Sequence, residues 1–181
     1  MRALLRFTGA IICAFLLAGG IAAAREPTDL ERQNLAAAVG KFDTAMRGSN
    51  LEAIPDSMPP KLFEHIARIS NTTVEQLRAS MVQQMKALFE AVKVESFSMD
   101  VEKAEYLELP GGEPYALIPT ETLIDTKTQK VLAKSKTLGL LENDNWYLVR
   151  IDEPQQVKIL REIYPVFESI SLPAGTMEVV K

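Results

Sequence analysis

Histidine titrates near neutrality and so suits a general base, and His65 is the only one in this chain. Leu62, Phe63, Ile66 and Ile69 recur around it as the apolar stripe of a helix, which leaves Glu64, His65 and Arg68 on the wetter side. His65 therefore reads as a surface side chain rather than a base. Cys13 is the sole cysteine, and it sits inside the apolar N-terminal run. If that run is removed, thiolate nucleophiles, disulfides and cysteine-based zinc sites go with it. One histidine without a cysteine is no transition-metal set, and no acidic run has the spacing of a calcium loop. Neither a metal nor a cofactor is expected.

Acid–base chemistry would fall to carboxylates and phenols. An isomerase built this way needs a carboxylate in an apolar pocket beside an oxyanion donor. Asp100, Glu121 and Asp125 are the carboxylates of the strand region; Tyr106, Tyr115 and Tyr147 are its phenols. Asp100 falls on the polar side of its strand, Asp125 in a turn, and Glu121 between two threonines. No catalytic residue is assignable from these positions.

A ligand pocket has better candidates: Tyr106, Tyr115, Ser135, Thr137, Trp146 and Arg150. Val131, Ala133, Ser135, Thr137 and Gly139 form one face of a long strand, and all are small. They would leave room for a ligand on a curved sheet; the plainer reading is that they let the long third helix come close. Trp146, Leu148 and Arg150 share a strand face, where the planar fork of Arg150 would suit an anionic ligand. More simply, the arginine stem covers the ring and its head stays in water. Met58, Met81, Met85 and Met99 read as adaptable core packing. Asn71-Thr72-Thr73 fits a glycosylation acceptor, and the same threonines fit a helix cap.

The elements that position these residues follow from periodicity and punctuation. Thr28-Asp29-Leu30-Glu31 has the capping-box pattern and opens a helix with Leu35, Val39, Phe42 and Met46 on one face. Gly48-Ser49-Asn50 ends it. A proline-punctuated connector, 51–60, carries Leu51, Ile54 and Met58 and is expected to pack. Pro59-Pro60 starts a short second helix, and Thr72-Thr73-Val74-Glu75 opens a third. That third helix has Val74, Leu77, Met81, Met85, Leu88, Phe89 and Val92 as its apolar series, and Phe42, Leu88, Phe89 and Phe97 are expected in the core.

The period then changes to two. Phe97, Met99 and Val101 alternate with polar residues; further strands are expected over 106–109 and 115–124, with Pro119 at a bulge or edge. Residues 131–141 and 146–151 form a hairpin through Asn143-Asp144. A last helix starts at Pro154, carries Val157, Leu160 and Tyr164 on one face, and ends before Pro165. Residues 166–172 read as one more short strand. Segregated helices and strands indicate an α+β fold with the helices on one face of an antiparallel sheet: N-terminal helices packed on a curved sheet, and a C-terminal helix.

Over residues 28–152 this order resembles the nuclear-transport-factor-2-like (cystatin-like α+β cone) domains. The helical first half, the strand meander and the hairpin ending Asn145-Trp146-Tyr147-Leu148-Val149 carry the likeness. Two features depart from it: no early short strand stands between the helices, and the terminal helix is extra. The resemblance implies a strongly curved sheet whose concave side encloses a pocket. Such folds host isomerases, dehydratases, binding modules and assembly proteins, so it does not choose among them.

Arg2 and Arg6 precede an uncharged run from Phe7 to Ile21, which ends at Ala22-Ala23-Ala24. That order describes a signal peptide over 1–24, cleaved before Arg25, with one α+β domain over 25–181. Its length also approaches that of a membrane anchor. Cys13 is preceded by Ile11-Ile12, which argues against lipidation, and the separated arginines argue against a twin-arginine signal. Cleavage takes the 20 basic residues to 18 against 24 acidic, a net charge of −6 on 157 residues. No basic stripe marks nucleic acid as a partner, and no later run is apolar enough to span a membrane. The leading expectation is a periplasmic or secreted non-enzymatic binding or accessory protein, its partner a small molecule or an envelope protein. An isomerase or dehydratase-like enzyme is the rival, and a homodimeric assembly module the third reading.

Overall fold

The protein is described by a computed structural model over residues 27–180, and the expected signal segment and Cys13 lie outside the described residues. Helix α1 spans Asp29–Arg47 and opens as its sequence predicts. The Thr28 hydroxyl accepts from the Glu31 amide at 3.2 Å, while the Glu31 carboxylate accepts from the Thr28 amide at 2.7 Å. Leu35, Val39 and Ala45 are buried on its inner face. A 3-10 turn over Leu51–Ser57 follows, with Leu51, Ile54 and Pro55 buried, so the connector does pack.

Helix α2 spans Pro60–Ile69 and α3 spans Val74–Ala91. The cap of α3 is one residue later than its sequence suggests: Thr73 accepts from Gln76 N, and Gln76 closes the box in place of Glu75. On α2 the inner face is Leu62, Phe63 and Ala67, and Ile69 points out at 55 % exposure.

Strands β1 (Lys93–Met99), β2 (Glu105–Glu108), β3 (Pro114–Asp125), β4 (Lys130–Glu142), β5 (Asn145–Arg150) and β6 (Thr176–Val180) form one antiparallel sheet, curled into a half-barrel. Helix α4 (Pro154–Ile163) and a 3-10 turn (Pro165–Phe167) lie between β5 and β6. The β4–β5 hairpin turns through Asn143 and Asp144 at φ 51° and 62°, the paired left-handed geometry whose twist matches two antiparallel strands. Three expectations are corrected. Residues 166–172 are not a strand, because Pro165 starts a 3-10 turn there and the last strand comes later as β6. Val101 leaves the sheet for a 3-10 turn, capped by Asp100 accepting from Lys103 N. Helices do not keep to one face of the sheet: α1 packs on one side of it and α4 on the other.

Both sheet edges are broken at the same level. On β3, β2 pairs with residues up to Leu117 and β1 takes over at Thr120. On β4, β5 pairs from Thr137 and β6 with residues up to Lys134. Pro119 stands opposite Lys136 between the pieces. Its carbonyl accepts from Asp100 N on the outer side, where a strand residue's own N–H also points, so the donor proline lacks falls where the edge strand stops.

Above this crease the sheet is covered on both faces. Leu35 and Val39 of α1 pack on Ala116, Ile118, Trp146 and Leu148 of the concave face. On the convex face Leu160 and Phe167 pack on Tyr115, Leu117, Leu138, Leu140, Val149 and Ile151. Below the crease the convex face is charged around one apolar pair, Leu123 opposite Leu132, with Glu121 opposite Lys134 and ion pairs Lys130–Glu95 at 2.6 Å and Lys136–Glu105 at 2.5 Å.

Candidate functional site

Alternation along paired strands puts directly opposite residues on one face. Below the crease two cross-strand rows therefore lie side by side on the concave face. One is Phe97–Thr122–Ala133–Met177 and the other Val94–Ile124–Val131–Val179. Val94 and Phe97 are three residues apart and would face opposite ways in a regular strand. A bulge between Val94 and Ser96 absorbs Glu95 and returns both to the concave side, the re-aiming that bulges perform.

At the β1 end this floor runs into a cleft of about 830 Å³ beneath the C-terminal ends of α1 and α3. Met46, Phe89, Val92, Val94 and Phe97 are its apolar lining, and Phe97 meets Phe42 of α1 with ring centroids 5.7 Å apart. Arg47, Lys93 and Lys127 stand on its walls beside Glu90, Glu95 and Asp125. Most of that charge is answered locally: Arg47 pairs with Asp43 at 2.7 Å, Glu95 with Lys130, and Asp125 accepts from Lys127 N at 2.8 Å. At the other end Met177 and Val179 are 69 % and 63 % exposed. A second cleft of about 360 Å³, lined by Pro55, Arg78 and Val82, is shallow and lies between α3 and the first 3-10 turn.

Five of the six sequence candidates, Tyr106, Ser135, Thr137, Trp146 and Arg150, fall on the concave face, with Thr137 directly opposite Arg150, and Tyr115 falls on the other; none lines either cleft. Tyr115 is on the convex face, buried edge-on against Phe167 with centroids 5.6 Å apart. Tyr106 belongs to the concave face, beneath the Arg32 guanidinium at 4.7 Å from its ring. Burial pushes both phenols above their usual pKa, against the pull of Arg32 at Tyr106. Trp146 is core, packed under α1. Thr137 is buried, its hydroxyl 2.8 Å from that of Thr120, which donates to Ile118 O. Arg150 is exposed, but its fork is occupied: Nε donates to Asp152 Oδ1 at 3.0 Å and Nη2 to Oδ2 at 2.5 Å. Ser135, like Tyr106, is half-buried; it lies near the crease, where a Cβ on Gly175 would come within 3.5 Å of its Cβ.

The small face of β4 is occupied in its upper half by α1, not α3. At Gly139 a side chain would meet Leu35 at 3.2 Å, Ala116 at 3.3 Å and Trp146 at 3.4 Å. Helix α3 packs instead on α2 and the first 3-10 turn, and no residue of it is buried. Leu88 is 57 % exposed and Phe42, Phe89 and Phe97 are half-buried, so the expected core shifts to Leu35, Ile118, Leu138 and Phe167. Periodicity identified an apolar face on α3; it does not say what stands opposite.

Two polar clusters were hidden from the sequence because their members are far apart in it. His65 Nε2 lies 3.1 Å from Glu162 of α4, and His65 Nδ1 lies 3.1 Å from Arg68 Nη2. An arginine only donates, so Nδ1 accepts and Nε2–H donates to Glu162. His65 thus ties α2 to α4. Glu142 receives the Lys61 ammonium on one oxygen and the Tyr164 hydroxyl at 3.3 Å on the other. Burial, and then the Glu142 carboxylate, push the Tyr164 phenol well above its usual range. This is a carboxylate–phenol pair, yet it is packed between the sheet and α4, away from both clefts.

Among the described residues no group of three or more histidine, cysteine or carboxylate side chains is arranged to hold a metal ion, and no helix is long and apolar enough to cross a membrane. Comparison of the chain with family models, with curated proteins and with solved structures finds no match in any of the three.

Proposed function

We propose that the protein is an exported, non-enzymatic binding protein that seats an apolar or amphiphilic small molecule on the open half of its concave sheet face. The observation that carries this reading is the continuity of the cleft of about 830 Å³ with two cross-strand rows, half-buried up to their exposed β6 ends and apolar but for Thr122. Its volume lies in the ordinary range for small-molecule sites, about 300–1,000 Å³. The mixed charges on the walls select no sign, so apolar burial would drive binding. At roughly 25 cal/mol per Å², a ligand burying about 300 Å² of apolar surface gains about 7 kcal/mol before association costs. The likeness to nuclear-transport-factor-2-like domains supports a ligand on the concave side, and the three-part N-terminal pattern supports export.

The rival enzyme needs a carboxylate and a phenol together in a cleft. Glu142 and Tyr164 meet, but on the other face of the sheet, where Lys61 caps them. Their packing favours a structural role.

Titrating the full chain with anilinonaphthalene sulfonate, under conditions where it unfolds cooperatively, tests the groove. Saturable one-to-one binding is expected, weakened at least about tenfold by Ile124→Glu, which plants a charge in the apolar floor. No saturable binding by the native chain, or equal binding by Ile124→Glu, would overturn the reading.

A further inference from the structure

Strand β6 is held differently from every other strand. It pairs with β4 over Lys130–Lys134, and four of its five residues are exposed. None of its side chains joins the three core clusters; the last residues to do so before it are Ile170 and Leu172. Between that anchorage and β6 the chain is clipped once, where Gly175 N donates to Asp152 O at 3.2 Å. The approach is so close that a Cβ on Gly175 would come within 2.7 Å of the Asp152 Cβ. A strand fastened by its ladder and one clip, with no buried apolar contact, belongs to the low-stability end of a structure.

The edge beneath it carries a recognisable pattern. Glu178 stands opposite Leu132 on the convex side, diagonal to Lys130 and Lys134, while Met177 and Val179 stand opposite Ala133 and Val131 on the concave side. An incoming strand fits if it alternates apolar, acidic, apolar. A bare edge of this kind is a template for such a strand.

We propose that β6 opens and closes as a unit of its own, and that the β4 edge it uncovers is a strand-addition site for an extended peptide segment carrying an acidic residue between two apolar ones. The native β6 is the built-in occupant, so a segment in trans competes with it and binds in proportion to the open fraction. The site adjoins the far end of the small-molecule groove, where Met177 and Val179 continue its floor. The dye titration with Ile124→Glu and the peptide titration with a Leu132–Glu178 disulfide read the two separately, so failure of the edge site would leave the groove reading standing.

Hydrogen exchange on the unaltered full chain tests the first half. The β6 amides should exchange at least about tenfold faster than those of the β4–β5 ladder, by an opening that does not expose the rest of the sheet. Exchange of β6 only on global unfolding would overturn the proposal. The second half uses a fluorescent peptide of residues 173–181, which should bind the full chain saturably. Its Glu178→Lys version should bind at least about tenfold more weakly. A disulfide between Leu132→Cys and Glu178→Cys, in a Cys13→Ala background, should abolish binding until it is reduced. Peptide binding that the closed disulfide leaves intact would sink the proposal, as would equal binding of the charge-reversed peptide. Self-association that the disulfide abolishes would support the same edge, with the β6 of a second copy as occupant.

Discussion

Asp152 illustrates how a single side chain joins two parts of this molecule. Its carboxylate takes both prongs of Arg150, and its backbone carbonyl receives Gly175 at the approach to β6. Burial works against its ionisation, but the Arg150 fork outweighs it and holds the carboxyl below its usual range. The folded state therefore gains from the ionised form at pH above the ordinary carboxylate value of about 4, and loses that gain as pH falls through the lower folded value. Arg150 is largely in water, which limits the contribution to about 1 kcal/mol. Asp152→Asn should lower stability by that amount at neutral pH and flatten the acid limb of the pH–stability curve. Two superimposable acid-unfolding curves would refute it. Arg150 was legible as a residue sharing a face with Trp146 and Leu148; its partner was not, because two residues past a strand end the chain direction is no longer set by alternation.

At the scale of elements, the contrast lies between α1 and α3. Leu35→Ala removes a fully buried side chain from between α1 and the sheet and should cost about 2–5 kcal/mol. Leu88→Ala, on a helix without a buried residue, should change stability by no more than about 0.5 kcal/mol. Chemical denaturation of the two variants decides this, and equal losses would put α3 in the core after all. Gly139→Val would push three packed neighbours apart and should cost about 1–3 kcal/mol or more. A variant as stable as the wild type would mean that α1 rides higher on β4 than described. The β4–β5 hairpin, its turn at Asn143-Asp144 and the first cap were legible because each is a local matter of period or turn chemistry. The bulge at Glu95 was not, since a break in alternation shows an extra residue without showing which face it restores. The six pocket candidates were chosen from strand faces, and the register alone decides that Tyr106 and Tyr115 stand on opposite sides.

For the whole molecule, the N-terminal pattern makes one prediction outside the described residues. Expressed in a bacterium, the protein should reach the periplasm with Arg25 as its first residue, and intact mass decides it. Recovery in the membrane with Met1 retained would show an anchor instead. The fold class was legible from segregated helices and strands. The covering of both faces was not, because an amphipathic helix such as α4 does not declare which side of the sheet it will take.

The two broken edges also bear on the order in which the chain assembles. Contacts of β4 with β3 and β5 join neighbours along the sequence, whereas β6 must bring Val180 back to Lys130. Closing the longer loop costs about 2 kcal/mol more than closing a hairpin, and no buried apolar contact repays it early. The covered half should therefore form first, with β6 zipping on after the rate-limiting barrier has been crossed. Stopped-flow measurements on Val179→Gly should then show faster unfolding and an unchanged refolding rate. Slower refolding would place this last strand inside the nucleus.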